Sequence, residues 1–175
     1  MQQIVRIALG RFGPIEKKST GAVLAFGIVM LALRLLLARP FWNSGNTRWV
    51  EFPTKLASST TYLFENLFQL HFFWGAYPIP FPQFTAWMTG VLEIVLPVLL
   101  IIGLGTRLWA LALLGMTCVI QLTFPDAFWH PETFLDSHSA WFLFSTLILV
   151  LGPGCVSLDW VVRRFAPQQW RARLA

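Results

Sequence analysis

The sequence predicts an all-α fold: an integral membrane four-helix bundle with an extra interfacial helix in the outer loop between spans 1 and 2 and amphipathic terminal segments. Three observations predict it. The chain is 56% hydrophobic and only 12% charged, about half the charged share of a soluble domain. Its mean hydropathy is +0.62. Its apolar runs approach the length that crosses a bilayer. A water-soluble fold is thereby excluded, and 175 residues form a single membrane domain.

The spans are expected at about 20–39, 84–104, 108–124 and 135–152. The first, "TGAVLAFGIVMLALRLLLA", ends at Pro40, is anchored by Trp42 and turns on Asn43-Ser44-Gly45. The last two are only just long enough, and Gly152-Pro153-Gly154 stops the fourth. In the long outer loop, Leu56, Leu63, Leu67 and Leu70 recur at near-helical spacing beside Phe64, Phe68 and Phe72, predicting an interfacial helix over about 55–73. Pro78, Pro80 and Pro82 stiffen the entry to span two. Ahead of span one, Arg6, Arg11 and Gly13-Pro14 interrupt the apolar residues, a pattern unlike a secretory signal. Ile4, Val5, Ala8, Leu9 and Phe12 are instead consistent with a short surface helix. The tail over about 158–175 reads as a second amphipathic helix, with Ser157 as its N-cap and Asp159 in its first turn.

Basic residues orient the spans. Arg6, Arg11, Lys17, Lys18, Arg107, Arg163, Arg164, Arg171 and Arg173 fall on one side, against Arg39, Arg48 and Lys55 on the other. This bias predicts both termini cytoplasmic. It also accounts for the net charge of +5 as topology signals and lipid contacts, without nucleic acid as a partner. Cys118 and Cys155 form no CxxC pair and read as buried, inert thiols.

Polar residues inside the spans are the candidate functional groups. Arg34 and Glu93 are placed in the outer half of spans one and two, where the lean of each side chain brings them together as a candidate proton-relay pair. Pro97, four residues after Glu93, frees the Glu93 carbonyl. Gln121 near the outer end of span three, and His138 with Trp141 at the entry to span four, complete a predicted polar pocket open to the outer face. The competing reading treats Arg34–Glu93 as a buried pair that only sets helix register. Asp126, His130, Glu132, Asp136 and His138 are metal-ligand types in the next outer loop. Without a fixed motif they read as solvated turn residues, leaving His130, His138 and Asp126 as a weak metal alternative.

Three stretches in order, "RLLLARPFWNSGNTRW", "GVLEIVLPVLLIIGLGTRLWALALLGMT" and "HSAWFLFSTLILVLGPGCVSLD", resemble the DoxX family of small four-helix bacterial membrane proteins over about residues 32–159. Arg34, Asn43, Gly45, Glu93, Arg107, His138 and Asp159 fall on its recurring pattern. The resemblance implies an inner-membrane location and relatives in sulfur and redox chemistry, including the DoxD-type subunit of thiosulfate:quinone oxidoreductase. The function expected from it is a quinone-interacting or redox-accessory subunit, with His138, Gln121, Trp141 and Asn43 as candidate cofactor-binding residues. No haem ligand pair, Fe–S cysteine set or dinucleotide fingerprint is apparent, so electrons are expected from a partner redox protein. Homo-oligomerisation is the alternative partnership. The rival function is a non-catalytic membrane scaffold, or a protein that handles a small molecule or metal at the outer face.

Overall fold

The computed structural model describes residues 20–128 and 131–165. The expected N-terminal surface helix, His130 and the tail beyond 165 lie outside the described residues. In chain order the elements begin with α1 (Thr20–Thr47), β1 (Trp49–Glu51), β2 (Lys55–Leu56) and α2 (Ser58–Tyr62), which runs on into a π-helical stretch, Leu63–Leu67. Then come β3 (Gln69–Phe72), β4 (Gly75–Pro78), α3 (Pro82–Ile102), α4 (Thr106–Thr123), α5 (His138–Leu151) and α6 (Leu158–Phe165). The fold is mostly helical, and α1, α3 and α4 are long and apolar enough to cross a membrane.

Helix α1 departs from expectation at its end. It does not stop near residue 39 but continues through Pro40 to Thr47. Gly27, Met30, Arg34, Leu37, Phe41 and Gly45 are all buried, a stripe at spacings of three and four that runs past the proline. Pro40 removes one backbone hydrogen bond, but burial of Phe41 and Gly45 on the same face holds the helix together. Its last turn is closed locally: the Asn46 side-chain amide donates to the Trp42 carbonyl at 2.9 Å and the Thr47 hydroxyl to the Ser44 carbonyl at 2.8 Å. Asn43, Ser44 and Gly45 are therefore helical, and Arg39 sits on an exposed mid-helix face rather than at a helix end.

The segment 55–73 is not one interfacial helix. Its leucines and phenylalanines are split between the short α2 with its π-helical stretch and a β-hairpin. The Phe68 N–H donates to the Leu63 carbonyl at 2.8 Å, and Phe68 itself turns extended (φ −79°, ψ 126°). Strands β3 and β4 then pair antiparallel, Leu70 opposite Tyr77 and Phe72 opposite Gly75. Aromatic side chains pack well across a pleated pair, and Phe72 meets the Tyr77 ring at 6.1 Å.

Helix α1 packs along α3, and α4 along α5; contacts between α1 and α5 and between α3 and α4 join the two pairs. The core sits between them, with Met30, Leu37 and Phe41 from α1, Leu96 and Leu100 from α3, Ala110 and Leu113 from α4, and Ala140, Phe144 and Ile148 from α5. Helix α5 has 14 residues, about 21 Å at 1.5 Å per residue, short of a hydrocarbon core of about 30 Å. It starts at His138 because residues 131–136 form a 3-10 turn and Ser137 is extended. Of the two cysteines, Cys118 is exposed rather than buried, while the Cys155 thiol donates to the Val23 carbonyl at 3.2 Å.

Helices α3 and α4 are joined by a tight turn in which Gly103 and Gly105 take left-handed backbone angles (φ 76° and 66°). The N-terminus of α4 is capped from a distance. The Asp159 carboxylate accepts from the Gly105 N–H at 2.7 Å, the Thr106 N–H at 2.9 Å and the Thr106 hydroxyl at 2.8 Å. Its negative charge thus meets the positive end of that helix. Ser157 caps α6, its hydroxyl accepting from the Trp160 N–H at 3.2 Å.

Arg34 belongs to this same end of the molecule. Its Nε donates to the Met30 carbonyl at 3.3 Å and its Nη1 to Leu100 and Ile101 carbonyls at 3.5 and 3.3 Å, while Nη2 donates to the Val156 carbonyl. A Cβ at Gly103 would collide with the guanidinium and come within 2.8 Å of Ser157, so that glycine is required by space as well as by φ. The cation sits at the negative end of α3, with the Asp159 charge acting favourably on it. Arg34→Met leaves three carbonyl groups of the α3 and Val156 segments without their donor. We expect a loss of about 3 kcal/mol, with Arg34→Lys intermediate because one ammonium cannot reproduce the fork; denaturant unfolding in detergent micelles reads both.

Candidate functional site

The opposite end of α1 carries the second buried charge cluster. Glu93 lies on the face of α3 that also buries Ala86, Gly90, Pro97 and Leu100, and it is only 1% exposed. Its partner is Arg48, the first residue beyond α1. The Arg48 Nη2 donates to Glu93 Oε1 at 2.7 Å and its Nε to Oε2, a bidentate pair. Arg48 also reaches the Ser44 hydroxyl at 3.3 Å and covers the Phe64 ring at 5.3 Å.

Two glycines permit this approach. A Cβ on Gly45 would lie 3.1 Å from the Glu93 Cβ, and one on Gly90 would lie 2.9 Å from the Trp49 ring. The Trp49 Nε1 donates to the Gly90 carbonyl at 3.3 Å. The outer loop is hung from the same arginine: the Arg48 carbonyl accepts from the Ala57 N–H at 2.8 Å and the Thr60 hydroxyl at 3.3 Å.

The expected Arg34–Glu93 pair is therefore not formed. Glu93 lies against Gly45, whereas Arg34 lies against Gly103; along α1 the stretch from Arg34 to Gly45 is about 16 Å. The error follows from ending the first span at 39. With α1 extended to Thr47, Arg34 falls near the end of α3, and the lean of its side chain takes it to helix C-terminal carbonyls. A signal for the true partner was present, since Arg48 continues the buried stripe one step beyond Gly45.

Gln121, His138 and Trp141 do come together, where α4 ends and α5 begins. The His138 Nδ1 and the Gln121 Oε1 are 2.7 Å apart, and the Gln121 amide donates to the Pro125 carbonyl at 2.9 Å. The amide orientation makes Oε1 the acceptor, so Nδ1 carries the proton of this bond. The His138 and Trp141 rings are 4.8 Å apart, and Trp141 packs on Phe41 at 5.3 Å. Phe41 precedes Gly45 by one turn of α1, so the aromatic group and the Arg48–Glu93 pair adjoin along one helix face. Below them on α5, Ser145 is fully buried, and its hydroxyl has no hydrogen-bond partner among the described residues. Asn43 and Asp126 are exposed and outside this group. Among the described residues no set of three His, Cys, Asp or Glu side chains is arranged to hold a metal; His130 lies outside the described residues.

The DoxX family model matches residues 29–126, more than half of the chain. The chain belongs to the DoxX family. No curated protein and no solved structure matches it. The DoxX segment contains Arg34, Arg48, Glu93 and Gln121, whereas His138, Trp141 and Asp159 lie beyond it.

A buried ion pair is destabilising to break from one side because the remaining charge is stranded. Arg48→Met and Glu93→Leu are each expected to lose about 3–5 kcal/mol, and the double variant much less than both losses combined. A double-mutant cycle on unfolding free energies checks this; additive losses would show that the two side chains do not couple.

Proposed function

We propose that this DoxX protein is a quinone-interacting, redox-accessory membrane subunit, its four apolar helices forming a bundle in the bacterial inner membrane with both termini cytoplasmic. The observation that carries the proposal is the Gln121–His138 hydrogen bond set beside the Trp141 and Phe41 rings. A quinone headgroup is flat and apolar with polar oxygens at its edges. Aromatic walls with one or two hydrogen-bonding groups are the recognition such a ligand needs. Partly buried Met116 and Ile120 beside the core extend the apolar wall. The unpartnered Ser145 hydroxyl adds a polar atom on the same helix.

When bound, a quinone carries electrons and protons within the bilayer. The chain's own part is to hold the headgroup and offer a hydrogen bond at His138, whose imidazole is oriented by its Gln121 bond. Glu93 no longer serves in a relay with Arg34, since Arg48 occupies both its oxygens. Its role in this reading is to lock α1 against α3 beside the aromatic group. The scaffold alternative draws its support from that same pair, which is fully used in architecture.

Thermal unfolding of the purified protein with a short-chain quinone tests the proposal. Binding at a hundredfold excess over Kd stabilises by about 2.7 kcal/mol. We expect that shift in wild type, its loss in His138→Ala and Gln121→Ala, and its retention in Asp126→Asn. Equal unfolding with and without quinone would leave the scaffold reading standing. For topology, a green fluorescent protein fused after Ala175 is expected to fluoresce in cells, and a periplasmic reporter at the same place is expected to stay inactive.

A further inference from the structure

From residue 66 to residue 92 the chain carries no Asp, Glu, Lys or Arg. Within that run the β3–β4 hairpin pairs Phe72 with Gly75, so Phe73 and Trp74 form its tip. Phe73 is fully exposed and Trp74 is 85% exposed. After the hairpin in the chain, Phe81 sits between Pro80 and Pro82 in a left-handed conformation (φ 48°) and is 81% exposed, and Phe84 is exposed as well. Large aromatic rings left in water forfeit the burial that normally stabilises them, and contiguous exposed apolar surface marks an interaction site.

The base of the hairpin is tied to one place. The His71 Nδ1 donates to the Leu122 carbonyl at 3.2 Å, and the Phe68 and Phe124 rings meet edge to face at 5.2 Å. Both partners lie at the C-terminal end of α4. Helix α4 also exposes Leu108, Leu111 and Val119 and is itself a candidate span.

We propose that the hairpin tip, Phe73–Trp74, together with Phe81 and Phe84, inserts into the interfacial layer of the bilayer at the outer end of α4. Aromatic residues concentrate at that depth because their rings are apolar while the nearby polar groups remain wet. The β3–β4 strands pair only along their shared edge, and at interfacial depth their outward-facing peptide groups stay within reach of water and headgroups. A lipid surface is favoured over a protein partner on two grounds. The patch carries no charge with which to specify a partner, and its base is joined to the C-terminal end of α4, a candidate span. The hairpin thereby fixes a membrane-embedded lip next to Leu122, whose neighbour Gln121 holds His138.

The test uses the full chain in vesicles of phosphatidylcholine and phosphatidylglycerol. A nitroxide is attached at position 73 or 74 (Phe73→Cys or Trp74→Cys, each with Cys118→Ser and Cys155→Ser). Collisions with oxygen are expected to exceed those with a water-soluble nickel chelate. Nickel in excess of oxygen would place the tip in water and overturn the proposal. Dipolar broadening between labels would identify a second copy as the occupant and overturn it equally. A second measurement keeps the native cysteines: the emission difference between wild type and Trp74→Phe is expected to be quenched by lipids brominated near the headgroup. An unquenched difference would count against insertion.

Discussion

A charged group in an apolar surround must find a partner of the right shape, and α1 meets that constraint twice along one face. An unpartnered arginine at the centre of a membrane helix costs about 2.5–3.5 kcal/mol on insertion scales. Arg34 is buried but not stranded, because it donates to carbonyls at the end of α3 and in the Val156 segment. Those carbonyls would otherwise lack donors at a helix terminus. One side chain thus satisfies both its own charge and the end of a neighbouring helix. The same junction is closed by Asp159 of α6, whose carboxylate caps α4, so α1, α3, α4 and α6 share one polar knot.

At the other end, Arg48 plays the corresponding role with a carboxylate. Its pairing with Glu93 fixes α1 against α3, and its backbone carbonyl and ring contact fix the start of the outer loop. Small residues decide where such knots form: Gly45, Gly90 and Gly103 each stand where a side chain would strike an arginine's partner, a tryptophan or the guanidinium itself. The apolar core between the knots is ordinary helix packing. Its register is set by the charged ends.

The aromatic group of Phe41, Trp141 and His138 sits between these constraints, beside the Glu93 knot and on helices that the core holds together. That position makes it the part of the DoxX segment and its neighbour α5 with hydrogen-bonding capacity not consumed by helix ends: the Ser145 hydroxyl is buried there without a partner.

Much was legible in the residues. Hydropathy located α1, α3 and α4, and the common depth of Gln121, His138 and Trp141 at the outer ends of their helices anticipated that these three side chains meet. Other features needed the folded chain. Pro40 and Arg39 look like the end of a span, yet α1 runs on to Thr47 because Phe41 and Gly45 are buried against other helices. The leucines and phenylalanines of 55–73 fit a helix equally well, yet pairing of β3 with β4 makes half of them a hairpin. The sequence by itself determined a membrane-spanning helical chain and which buried residues are charged. Only the tertiary structure decided that Glu93 belongs to Arg48 and Arg34 to backbone carbonyls. An error of a few residues in where a helix ends moves a side chain by two turns relative to its neighbours, and the reach of a salt bridge is shorter than that.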